Sequence, residues 1–239
     1  WPRLDDRKRK KWHMWCVTTP QIVFHQLRDD KSAETFEDLV GEYDGYIVCD
    51  DLSSHDAGAR GSPDIVLVGC WAHIYRKFEE ASADFPQAEE ALRLIRWLYD
   101  VDHYSPPDKL GENRAKWSKL VLDELYAWMT TVPVLLTTTL GKAIKHTFKI
   151  KDRLWRIVDD PHVWLDNNPT ERSLRGPVVG RRNHFGSKSR DGTRAAAILY
   201  SIVETAKLND VDPSAYLREI AKNARLVPSA VTMPSELKV

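Results

Sequence analysis

The run Gly45-Tyr46-Ile47-Val48-Cys49-Asp50-Asp51, apolar in its middle and closed by two acids, constrains the fold more than any other stretch of this chain. A short apolar run ended by turn-forming residues reads as a buried strand. A second such run, Asp64-Ile65-Val66-Leu67-Val68, follows it, and from Trp71 onward the apolar spacing becomes helical. Strands that give way to helices predict an α/β (α+β) domain. In sheets of that class ligands bind outside the carboxyl ends of the strands, so Asp50 is placed where a metal or substrate would be held. Standing alone, an aspartate there would more often be a turn or cap residue.

A second acid gives Asp50 a companion. In Leu165-Asp166-Asn167-Asn168-Pro169-Thr170-Glu171-Arg172-Ser173-Leu174-Arg175, Asn168 suits a helix N-cap, Pro169 the first helical position, and Glu171 the third. A glutamate at that position can close a capping box. Here it is also followed by Arg172 and Arg175, which makes the segment a carboxylate beside phosphate-binding side chains.

The remainder of the chain predicts a strand pair over 11–17 and 21–27, turning at Thr18-Thr19-Pro20, and a helix over 32–40. Helices are expected over 71–83, 87–100 and 112–129, with shorter pieces through Lys142 and Arg153. In the third, Trp117, Leu120, Val121, Glu124, Leu125 and Trp128 fall at helical spacing and are expected to form core. The capped helix after Asn168 leads to a loop near 180–192, a helix over about 193–208 and a last one starting at Pro213 behind the Asp212 cap. The expected organisation is 1–70 as core strands with the first helix, 71–160 as a helical insertion, and 161–239 as C-terminal helices of the core carrying Glu171.

Charge bears on partners through its distribution. The 35 basic and 35 acidic residues cancel. From Arg172 to Arg194, however, Arg172, Arg175, Arg181, Arg182, Lys188, Arg190 and Arg194 face a single acid, Asp191. A basic segment adjoining the acids suits a phosphate backbone, because Lys and Arg neutralise phosphates and release counterions. The three cysteines, Cys16, Cys49 and Cys70, show no disulfide pattern, and no apolar stretch reaches the roughly 18 residues of a membrane span, so a cytoplasmic protein is expected. Cys70 and His73 have ligand-like spacing and, with Cys49 or His55, would give a zinc-stabilised interaction module. At a strand-to-helix junction such a pair more often packs and hydrogen-bonds.

The ordered motifs resemble one family. Gly45 to Asp50, Cys70-Trp71-Ala72-His73-x-x-Arg76-Lys77-Phe78, and Asp166-Asn167-Asn168-x-x-Glu171-Arg172-x-Leu174-Arg175 are similar to the transposases of insertion sequence 66. Gly180-Arg181-Arg182-Asn183-His184-Phe185-Gly186-Ser187, Ala195-Ala196-Ala197, Tyr200 to Asn209 and Asp212-Pro213-x-Ala215-Tyr216-Leu217 extend the likeness over nearly the whole chain. The resemblance implies a ribonuclease-H-like mixed sheet with a large helical insertion between the second aspartate and the glutamate. It also implies Asp-Asp-Glu chemistry on DNA, in which Asp50 and Glu171 hold two magnesium ions, with manganese as the alternative. Arg172, Arg175, Arg181, Arg182, Lys188 and Arg190 would contact DNA, and Cys70 and His73 would form a structural motif near the site. The implied partners are transposon ends and target DNA, further copies of the chain in the active complex, and accessory transposition proteins.

The family's first aspartate lies in a short stretch expected just ahead of Trp1, and Asp5, Asp6 and Asp51 are the candidates to test as substitutes. The chain is therefore read as part of a longer protein that lacks its first core strand. As it stands it is expected to be inactive and prone to aggregate through unpaired strand edges, and to recover when about 20 to 40 upstream residues are restored. The alternative functional reading is a catalytically dead transposase remnant that only binds DNA.

Overall fold

The computed structural model describes residues 12–50, 57–59, 64–183, 186–187, 189–228 and 232–236. The chain is α/β, predominantly helical with two small sheets, and divides into two compact units: Trp1–Lys31 with Asn168–Val239, and Ser32–Asn167.

In the first unit, β1 (His13–Thr18) and β2 (Val23–Arg28) form an antiparallel hairpin with His13 opposite Arg28 and Thr18 opposite Val23. Its turn is held by Thr19, whose Oγ1 accepts from the amides of Gln21 (3.2 Å) and Ile22 (3.0 Å). The unit also holds α8 (Asn168–Ser173), α9 (Arg175–Asn183), α10 (Arg190–Leu208) and α11 (Pro213–Leu226). The long α10 covers the backbone of β2. Ser201 Oγ accepts from the amide of His25 (2.8 Å), Thr205 Oγ1 pairs with both the amide and the carbonyl of Val23 (3.0 Å each), and Asn209 Nδ2 donates to the carbonyl of Gln21 (2.8 Å). Polar side chains one helical turn apart, about 5.4 Å, nearly match every second residue of a strand, about 6.6 Å. A serine, a threonine and an asparagine in register thus stand in for a neighbouring strand and protect an edge.

The second unit holds α1 (Ala33–Val40), whose Ser32 cap accepts from the Thr35 amide at 3.1 Å, and the strands β3 (Gly45–Cys49) and β4 (Ile65–Gly69). These two are parallel, with Cys49 opposite Gly69. Then come α2 (Trp71–Ser82), α3 (Ala88–Tyr104), α4 (Leu110–Asn113), a π-helical stretch over Arg114–Ser118, α5 (Lys119–Thr131), α6 (Thr139–Lys149) and α7 (Lys151–Asp159). Their apolar faces make one core in which Trp71, Ile74, Phe78, Leu94, Ile95, Leu98, Leu122, Leu125 and Leu154 are fully buried. Val68 of β4 belongs to the same cluster, so strand and helices share one interior. Gly69 permits this close approach, since a Cβ there would lie 2.8 Å from Leu154 Cδ2.

Arg114 fastens the end of this unit. It is 2 % exposed, pairs with both carboxylate oxygens of Asp102, and donates to the carbonyls of Ile157, Asp160, Pro161 and Val163. A planar fork with five donors is what allows one side chain to serve so many acceptors.

Two expectations are corrected. The buried face of the Lys119–Thr131 region is Ser118, Val121, Leu122, Leu125, Tyr126 and Met129, whereas Trp117 and Leu120 are exposed and Glu124 pairs with Arg93 at 3.0 Å. Apolar residues cover more than one face of this segment, so helical spacing alone could not fix which face is inward. The expected loop over 180–192 is in part helix, since α9 continues to Asn183 and α10 begins at Arg190. Gly176 and Gly180 weaken the local helical signal, and Arg181 and Arg182 in the last turn favour the helix by facing its negative end.

Candidate active site

Asp50 directly follows β3 and is half-buried at the carboxyl end of the parallel pair. Because Cys49 is opposite Gly69, Asp50 and Cys70 leave the two strands at the same end. Cys70 occupies the N-cap position of α2, and its thiol donates to Asn167 Oδ1 at 3.1 Å. The next amide, that of Trp71, donates to the carbonyl of Leu165 at 2.9 Å. Tyr99 on α3 donates to Asp166 Oδ2 at 2.9 Å. The segment Leu165–Asn167 is thereby tied both to the start of α2 and to α3.

Burial dominates the electrostatics of two groups at this end. Burial first, then the charge of Asp166 and the bond to it, push the Tyr99 phenol far above its ordinary value, so the phenol stays a donor. Burial likewise raises the Cys70 thiol. A thiol that stays protonated is neither an effective nucleophile nor a ready metal ligand. The side chain of Cys70 serves as a clasp on Asn167. His73 lies in the first turn of α2, one turn after it.

Glu171 stands in the first turn of α8, half-buried. That helix is seated on β1 through Ser173. The Ser173 hydroxyl donates to the Thr170 carbonyl at 2.7 Å and lies 3.1 Å from Cys16 Sγ, which leaves the thiol as the donor between them. Burial raises this thiol also, against lowering by Ser173 and Thr18. Across the hairpin from Cys16 is His25, 2 % exposed, with Tyr200 edge-on at 6.4 Å. Burial lowers its pKa, against the charge of Glu204 and the Ser173 backbone, which raise it.

Asp50 belongs to the Ser32–Asn167 unit and Glu171 to the other. Arg172 and Arg175 extend from the Glu171 helix region, Arg181 and Arg182 from the end of α9, and Arg190 and Arg194 from the first turns of α10. All six are exposed and make no ion pair among the described residues. Lys188, His55, Asp5, Asp6 and Asp51 lie outside the described residues. Among those that are described, no three His, Cys, Asp or Glu side chains form a metal-sized cluster, and no helix is long and apolar enough to cross a membrane.

Tyr99, Cys16 and His25 escaped the reading of the sequence. Only the alternation of Cys16 and His25 within two predicted strands could have paired them. Tyr99 lies one position before Asp100 in a helix whose pattern signals core and nothing more.

Residues 1–195 match the family model described as Transposase IS66 family. The chain belongs to the IS66 transposase family. It is 27 % identical over 244 residues to the uncharacterized protein y4hP of Sinorhizobium fredii, a match covering 92 % of this chain and 44 % of that one. A second protein of that organism, the uncharacterized protein y4jD, is 27 % identical over 257 residues, 97 % of this chain and 50 % of the relative. The uncharacterized protein y4qI is 26 % identical over 219 residues, 84 % and 40 %. The chain spans about half the length of the curated relatives it matches. No solved structure matches it.

Proposed function

We propose that this chain forms the catalytic part of an IS66-type DNA transposase, with a ribonuclease-H-like core in which Asp50 and Glu171 are the metal-binding acids. The observation that carries the reading is the placement of each acid. Asp50 stands at the carboxyl end of a parallel strand, and Glu171 stands in the first turn of a helix followed by exposed arginines with no acid partner among the described residues.

The donor set suits magnesium, which prefers carboxylate oxygen, needs only one or two carboxylates from the protein, and keeps several waters. When bound, a pair of such ions supplies charge stabilisation to attacking and leaving oxygens of a phosphodiester. The chain's own residues do the remainder. Asp50 and Glu171 would hold the ions, Arg172 and Arg175 would bind the phosphate beside Glu171, and Arg181, Arg182, Lys188 and Arg190 would track the backbone away from it. The bonds from Cys70, Trp71 and Tyr99 keep Leu165–Asn167, the residues that lead into the Glu171 helix, in a fixed path. DNA ends and target would be the substrates, with other copies of the chain and accessory proteins as partners in the cytoplasm.

The test separates binding from chemistry. In the full reading frame that encodes these residues, Glu171→Ala and Asp50→Ala should abolish metal-dependent cleavage and strand transfer while leaving DNA binding largely intact. Arg181→Ala and Arg182→Ala should weaken binding to all sequences alike and flatten log affinity against log salt by about one unit per lost phosphate contact. Unchanged cleavage in the acid variants would refute the catalytic assignment. Loss of arginine without a change in slope would leave the basic segment a solvated surface.

A further inference from the structure

Within the first unit, Trp12, His13 and Met14 of the β1 end, Lys31, and Leu174, Pro177, Val178 and Arg181 enclose a cleft of about 310 Å³. That is near the lower limit of small-ligand sites, about 300 Å³, and so suits a single flat group. Its lining brings together the apolar Met14, Leu174, Pro177 and Val178, the Trp12 indole, and two exposed cations, Lys31 and Arg181. Lys31 and Arg181 make no ion pair among the described residues, so both charges are available to an anion. Trp12 also packs against the Leu27–Ala197 cluster, as do Met14, Ala196 and Tyr200. Leu174 is three residues after Glu171 in sequence.

We infer that this cleft takes one unpaired nucleotide of a DNA strand, its base against Trp12 and its phosphate between Lys31 and Arg181. The inference rests on the DNA reading above and adds to it a preference for single-stranded character near Glu171. The chemistry favours this occupant because every base has a π-face to lay on an aromatic ring, whatever the sequence, and carries its own phosphate to a nearby cation. An apolar ligand alone would leave the two cations unused, and a free phosphate would leave the apolar walls and the indole unused.

Binding of a short blunt duplex and of the same duplex with a single-stranded tail, measured by fluorescence anisotropy at one salt concentration, tests this. The tailed probe should bind more tightly. Trp12→Ala should remove that advantage, a loss of roughly five- to 150-fold from one lost stack, while Trp12→Phe should keep most of it. Since Trp12 also braces the fold, Val178→Asp provides a second variant: Val178 is 39 % exposed on the cleft wall, and a carboxylate there should cancel the tail advantage without unfolding the chain. Equal affinity for the two probes, or a tail advantage that survives both Trp12→Ala and Val178→Asp, overturns the cleft assignment and leaves DNA binding standing. Failure of both probes to bind overturns the DNA reading and the cleft with it. Self-association abolished by Val178→Asp, with no effect of the tail, would assign the cleft to a second copy of the chain instead.

Discussion

Thr205 Oγ1 accepts from the amide of Val23 and donates to the carbonyl of the same residue, each at 3.0 Å. One hydroxyl on a helix thus satisfies both backbone groups of a strand residue that is 3 % exposed. This makes the family-like tail from Tyr200 to Asn209 a part of the sheet edge.

Thr205→Val keeps the shape of the side chain and removes both bonds. Two buried backbone groups lose their partner, at about 1–3 kcal/mol for each such group. A fall in unfolding free energy of that order, read from a lower urea midpoint, with greater aggregation through the bared edge of β2, is expected. A midpoint unchanged from the parent would show that water replaces the hydroxyl without cost.

Tyr99→Phe tests the bond to Asp166. The ring is retained, so packing against the core persists, and only the 2.9 Å bond to a carboxylate is lost. Bonds to charged groups contribute about 1.5–3 kcal/mol, and stability should drop within that range. Hydrogen exchange should rise over 163–167 more than over α3. Uniform exchange changes along the chain would assign Tyr99 to general packing.

Arg114 should be among the least replaceable residues of the second unit. Arg114→Met leaves Asp102 and four carbonyls without their donor, and breaking a buried pair costs about 3–5 kcal/mol. Lysine has no planar fork, so Arg114→Lys should rescue little of the loss. Full rescue by lysine in thermal or urea unfolding would mean that charge alone matters at this position.

His25 gives the first unit an acid-sensitive stability. Its pKa is depressed by burial, so the folded chain binds fewer protons than the unfolded chain once the pH falls below the ordinary histidine value of about 6.5. The contribution is therefore complete above about pH 6.5 and is lost as pH falls toward the folded value. Glu204 opposes the shift, and Cys16 and Tyr200 are the other titratable neighbours. His25→Met should flatten stability against pH below about 6.5. An unaltered slope would place the titration elsewhere.

The sequence was informative where one residue type meets one physical requirement. The hairpin turn, the Ser32 cap, the strand ending at Asp50 and the Asp212 cap with Pro213 behind it all follow from local rules, and each stands where those rules put it. The phase of the Lys119–Thr131 helix did not follow, because Trp117 and Leu120 are as apolar as the residues that are buried. Nor did the network at the strand end. Asp166 could be read as part of a motif, but its partner Tyr99 comes from 67 residues away and only tertiary packing brings it there. The same holds for Cys16 and Ser173, 157 residues apart.

In the function proposed, Asp50 and Glu171 share metal ions. A crystal structure with DNA and manganese, located by its anomalous scattering, measures this directly. The expected result is a pair of ions about 4 Å apart with carboxylate oxygens of both residues among their ligands. Ions held by other side chains, or Asp50 and Glu171 on opposite sides of the molecule, would contradict it.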